Sequence, residues 1–170
     1  MKKIICTLFA LCFTIIAYAQ SIYELDRNPG YKDIKLGVSV SSLIGKLEYV
    51  EPTSSGGYKY IVTDKSYLFL FGVKMDEVFV FAYNGNVTGI YAVKRSLPGA
   101  TLDSSFQKNI QDGLTRQYGR AQYDMTDKYS DPPKFGVAWR TRNKEAHVCT
   151  LYFKEQNLFA LTVFWGLFGG

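Results

Sequence analysis

The chain has 170 residues, 47% of them hydrophobic, with 20 Lys+Arg against 15 Asp+Glu. A net charge of +5, which drops to 18 basic against 15 acidic side chains without Lys2 and Lys3, is too mild for a nucleic-acid-binding surface. Two of the three cysteines, Cys6 and Cys12, stand near the N-terminus, which leaves Cys149 without an internal partner and excludes a disulfide-stapled scaffold.

The N-terminus reads as a targeting signal. Met1-Lys2-Lys3 is a short basic region, the run from Ile4 to Ala17 is apolar, and Ala17-Tyr18-Ala19 places small residues where a signal peptidase reads them. Residues 1–19 are therefore expected to be a cleaved secretory signal, and 20–170 an exported α+β domain that is periplasmic or secreted. The apolar run is shorter than the roughly 18 residues of a membrane span, so no span is expected after cleavage. Leu11 before Cys12 is too large for a lipidation site.

Ser21 to Tyr31 carries Asn28-Pro29-Gly30 and reads as an extended arm. Val40, Leu43, Ile44 and Leu47 recur at helical spacing after the N-cap residue Ser39, which predicts a short helix ended by Glu51-Pro52. From Tyr58 onward the residues become β-branched and aromatic. Strands are predicted over Tyr58 to Thr63, Tyr67 to Val73, Glu77 to Tyr83 and Asn86 to Val93, with Asn84-Gly85 as a two-residue type I′ hairpin turn. Leu102, Phe106, Ile110, Leu114 and Tyr118, at steps of four, predict a second helix that ends at Gly119. Three strands follow, over Phe135 to Thr141, Glu145 to Phe153 and Leu158 to Trp165. Helix-then-strands appears twice, predicting two helix-plus-antiparallel-meander halves, about 32–95 and 100–166, with the helices packed on a mostly antiparallel sheet.

Ile34-Lys35-Leu36-Gly37-Val38-Ser39 before a short helix and hairpin, then Leu114-Thr115-Arg116-Gln117-Tyr118-Gly119 before a tryptophan-bearing strand, resembles exported bacterial domains of the BamE/SmpA type and the β-lactamase inhibitor protein. That resemblance implies helices on one face of an antiparallel sheet and action by binding other proteins.

No motif points to catalysis. His147 and Cys149 are two apart on a predicted strand, where neighbouring side chains on one face diverge, a poor geometry for a nucleophile and its base. One histidine is too few for a typical zinc site, and Asp124, Asp127 and Asp131 lack the glycine and closing glutamate of a calcium loop. No catalytic residue, metal or cofactor is therefore expected. Arg140, Arg142 and Lys144 alternate at a strand end and suggest a basic patch.

The more informative feature is strands that are apolar on both faces. Phe79, Phe81 and Tyr83 oppose Val78, Val80 and Ala82, and the last predicted strand, which holds Phe159, repeats the pattern. Such faces are covered within the chain or by a partner. The function expected is a non-catalytic exported protein-binding module, with an envelope or secreted protein as partner and Phe79, Phe81, Tyr83, Phe159, Arg140, Arg142 and Lys144 as binding residues. The alternative is a carrier of small apolar ligands with an aromatic-lined cavity.

Overall fold

The computed structural model describes residues 23–130, 132 and 134–167. The predicted signal and its cleavage site lie outside the described residues. The chain opens with helical residues 23–27 and a two-strand ribbon, β1 (Gly30–Tyr31) and β2 (Ile34–Lys35). Eight further strands form one antiparallel sheet. They are β3 (Leu47–Pro52), β4 (Tyr58–Val62), β7 (Glu77–Tyr83), β8 (Asn86–Arg95), β9 (Tyr123–Asp124), β10 (Phe135–Arg140), β11 (Lys144–Phe153) and β12 (Leu158–Leu167). A small hairpin, β5 (Phe69–Leu70) and β6 (Val73–Lys74), and the helix α1 (Ser104–Tyr118) complete the fold.

The strand order β3-β4-β7-β8-β12-β11-β10-β9 corrects the two-halved α+β expectation. There are two meanders, but β8 pairs with β12 over seven residues, which fuses them edge to edge into one continuous sheet. Ranges 32–95 and 100–166 therefore share a sheet and a core, and only the second contains the long helix.

The first predicted helix fails for a local reason. Ser39 does cap a helical turn, accepting a bond from the Ser41 amide, but that turn is a 3-10 segment confined to Val40–Leu43. Gly45 follows with φ +83, and Leu47-Glu48-Tyr49-Val50, with aromatic Tyr49 next to β-branched Val50, joins β4 as an edge strand. Ile44, assigned to the buried stripe by spacing, is 82% exposed. The strand expected over Tyr67 to Val73 is likewise split. A 3-10 turn over Lys65–Leu68 precedes β5, and Phe71 and Gly72 turn the hairpin at φ 48 and 82. Asn84 and Gly85, at φ 48 and 76, make the predicted positive-φ turn between β7 and β8.

Helix α1 is capped by Asp103, whose carboxylate accepts from the Ser105 amide, and ends at Gly119 with φ 77. Of its predicted stripe, Ile110, Leu114 and Tyr118 are buried, while Phe106 is partly covered and Leu102 precedes the helix. Gly113 permits the closest approach. A Cβ there would lie 2.1 Å from the Phe71 ring, so the β5–β6 hairpin and the helix meet through a ring stacked on bare backbone.

Register sorts the sheet residues into two faces. The core face carries Val78 and Val80 of β7, Ile90 and Ala92 of β8, Leu161, Val163 and Trp165 of β12, Ala146 and Val148 of β11 and Trp139 of β10. Residues 23–27, the β1–β2 ribbon, both 3-10 turns, the β5–β6 hairpin and α1 all contribute side chains to this one core, among them Leu25, Ile34, Leu43, Tyr67 and Leu70.

The Tyr118 hydroxyl joins three of these parts. It accepts from Trp165 Nε1 at 3.2 Å and from Gln117 Nε2 at 2.9 Å, and lies 3.4 Å from both the amide nitrogen and the carbonyl oxygen of Gly30. Gly30 is fixed by space as well as by its φ of +135, since a Cβ there would sit 2.4 Å from the Ile34 carbonyl oxygen. One residue on, Trp139 Nε1 donates to the Gly119 carbonyl at 2.6 Å. Both tryptophans thus anchor the C-terminal end of the helix to the sheet. Desolvation holds the Tyr118 phenol above its ordinary pKa. Burial, with Tyr67 nearby, pushes that of Tyr31 up to about 12, so both phenols stay neutral donors.

Tyr118→Phe keeps the packing but leaves the Trp165 indole N–H buried without its acceptor, at a cost of about 1–3 kcal/mol. The variant is expected to melt several degrees below wild type by circular dichroism, and an unchanged melting temperature would show that the hydroxyl does not tie these elements together.

Candidate functional site

The second face of the sheet is built from the alternate residues of the same strands. Phe79 and Phe81 of β7 pair with Tyr91 and Gly89 of β8, which in turn pair with Phe164 and Gly166 of β12. Across the next ladder, His147 lies opposite Phe164, and Cys149 opposite Thr162. The side chains of this face are absent from the core cluster, and residues 23–27, the β1–β2 ribbon, the 3-10 turns at Val40–Leu43 and Lys65–Leu68, the β5–β6 hairpin and α1 pack against the other side. Phe79, Phe81, Tyr91 and Phe164 are half-buried, and Tyr83 is 51% exposed. Such an aromatic surface is unusual for the solvated side of an antiparallel sheet.

The aromatic rings shield the small residues between them. The Phe164 ring occupies the space a Gly166 side chain would need, with its nearest atom 2.2 Å from the Cβ position. Gly89 lies between the Phe81 and Phe164 rings, at 3.5 and 3.4 Å by the same measure. At the Tyr83 end these rings, with Leu167 and the loop residues Thr53 and Gly57, border an open depression of about 760 Å³.

Polar groups stand around the aromatic centre. Lys59 bonds Glu51 at 2.8 Å and lies over the Phe79 ring, and Arg95 pairs with Glu77 at 2.6 Å. Glu145, nearly fully buried, accepts from Arg140 Nε through one oxygen, and its other oxygen is 2.6 Å from His147 Nδ1. The imidazole packs 5.2 Å from the Phe164 ring, and the Arg140 guanidinium lies over Tyr123. His147 is therefore held by Glu145, while Cys149 Sγ is 3.0 Å from Thr162 Oγ1. Burial pushes the Cys149 thiol above its ordinary pKa, the opposite of what an activated nucleophile requires. Among the described residues there is no group of three or more His, Cys, Asp or Glu able to hold a metal.

Phe79, Phe81 and Tyr83 share this face, as the alternation of β7 indicated. Phe159 does not. It pairs with Tyr152 on the core face and lines an open depression of about 210 Å³ beside Leu102 and Gln107, near the start of α1. The three basic residues are not one patch either. Arg140 lies on the aromatic face in its pair with Glu145, and Arg142 is exposed in the β10–β11 turn. Lys144 points to the core side, donating to the Asp26 carbonyl. Sequence reasoning missed Tyr91 and Phe164 as members of the face. The signal was present in β8 and β12 as apolar residues on both parities, but only the β7–β8 and β8–β12 registers together bring them into one row with Phe79.

Comparisons with protein-family models, with curated proteins and with solved structures find no match to this chain. No helix among the described residues is long and apolar enough to cross a membrane.

With its thiol protonated and screened, Cys149 is expected to resist iodoacetamide at pH 8 in the folded protein and to react once the chain is denatured. Peptide mass mapping reads the outcome, and rapid modification of the native protein would contradict the burial described.

Proposed function

We propose that this protein is a non-catalytic, exported protein-binding module that works through the aromatic sheet face. The observation that carries the reading is the continuous ring surface of Phe79, Phe81, Tyr91 and Phe164, on the side of the sheet away from the helix and core. Aromatic side chains supply large contact areas with few rotamers to immobilise, and they recur at the centres of protein interfaces. The polar groups of this face are engaged with one another, and Cys149 is a shielded thiol, which favours binding over chemistry. The carrier alternative requires an enclosed aromatic chamber. The aromatic residues here border open depressions instead.

The test places a photoreactive benzoylphenylalanine at Tyr83, which is exposed on this face, and for comparison at Lys74, which is exposed on the β5–β6 hairpin. Irradiation of producing cells is expected to give protein adducts from position 83 and none from position 74. Adducts with lipid alone, or equal yields from the two positions, would overturn the reading.

A further inference from the structure

We infer that the aromatic face docks against the same face of a second copy of this chain, forming a two-fold, sheet-on-sheet dimer. The inference rests on the binding role proposed above and names the partner. Three observations favour a copy over an unlike protein.

The first is charge. Without Lys2 and Lys3 the exported chain carries 18 basic against 15 acidic side chains, so two copies repel unless the surfaces that meet are locally neutral. On this face Lys59, Arg95 and Arg140 are each paired with a carboxylate of the same face, Glu51, Glu77 and Glu145. A partner chosen for opposite charge would meet cations left free. Here the cations are already neutralised at the margin, and the centre is apolar.

The second is area. Seven strands from β3 to β10 at about 4.8 Å spacing span about 29 Å, and six residues along a strand span about 20 Å, which gives a footprint of about 600 Å² before side-chain relief. A stable interface takes about 800 Å² of accessible surface from each partner. The face is close to the size of one standard interface, and its own copy offers an equally large surface of the same twist, as face-to-face sheet packing needs.

The third is shape. The depression of about 760 Å³ lies directly beside the projecting side chain of Tyr83, which is 51% exposed. A two-fold axis parallel to the two sheets and lying between them sets the projecting Tyr83 of each copy against the depression of the other, so one feature supplies both knob and hole. This is the self-complementarity that an isologous interface needs.

The experiment is sedimentation equilibrium on the protein purified from its producing cells, between about 1 and 100 µM, a range that brackets a micromolar dimer constant. Wild type is expected at twice the mass of a single chain. Tyr83→Lys and Phe81→Lys, which place charge in the interface, are expected at the single-chain mass, with dimer dissociation constants raised by at least about 100-fold. Tyr58→Lys, on the opposite face of the same sheet, is expected to stay dimeric. If Phe81→Lys unfolds, Tyr83→Lys decides, because that side chain is half exposed at a strand end and its circular dichroism and melting should match wild type. A monomeric wild type at 100 µM, or a folded Tyr83→Lys that remains fully dimeric, overturns the inference. A monomeric wild type whose position-83 photo-adducts contain a different protein would retain the binding role and sink only the choice of partner.

Discussion

The Tyr118 hydroxyl is the point on which the rest of the molecule depends. The sheet is one layer of strands, and one layer cannot bury itself. Something must be fastened to it. Trp165 Nε1 from the sheet and the Gly30 backbone from the N-terminal ribbon meet at the Tyr118 oxygen, and Trp139 Nε1 holds the adjoining Gly119 carbonyl. These bonds fix the C-terminal end of α1 over the sheet, and the close contact of Gly113 with Phe71 fixes the small hairpin over the helix. Once the helix, ribbon and hairpin are committed to the same side, the other side of the sheet is left to the aromatic residues that alternate with the core.

That asymmetry links packing to function. Val78 and Val80 lie in a core completed by the chain itself, whereas Phe79 and Phe81, one residue away on the same strand, keep part of their surface in solvent. Burying large rings is strongly favourable, so a face of them is a standing driving force for association. The paired charges around it, Lys59–Glu51, Arg95–Glu77 and Arg140–Glu145, leave the contact surface itself locally neutral although the chain is net positive. The buried Glu145 also holds His147 in place. Its Nδ1 is committed to the carboxylate, and its ring to Phe164.

Much of this is written in local sequence, and the rest lies in pairings that only the folded chain makes. The Asn84-Gly85 turn and the Ile110, Leu114 and Tyr118 stripe were legible because their signals are short-range, a positive-φ dipeptide and a four-residue period. The helix expected after Ser39 was not formed, because Val40, Leu43, Ile44 and Leu47 match a helical period only if Gly45 is ignored, and the pairing of β3 with β4 prevails over the few residues available for a helix. Two-sided apolarity was visible in β7 and β12, yet which residues share a face across strands depends on register. Phe159 and Phe164 belong to one strand, but their odd and even positions separate them, and the β7–β8 and β8–β12 ladders place Phe164, not Phe159, in the row with Phe79 and Tyr91. Lys144 was misplaced for the same reason. Its parity turns it to the ribbon side, away from Arg140.

The central claim is that one face of the sheet is closed by the chain and the other is left for contact. Solvent paramagnetic relaxation by a soluble gadolinium chelate, read on aromatic side-chain protons at a dilution where the protein is a single chain, tests it directly. The account predicts strong broadening for the rings of Phe79, Tyr83 and Phe164 and protection of the Trp139 and Trp165 indoles. If Phe79 and Phe164 prove as protected as the two tryptophans in the single chain, the aromatic face is covered from within, and the division of the sheet into a core side and a contact side is wrong.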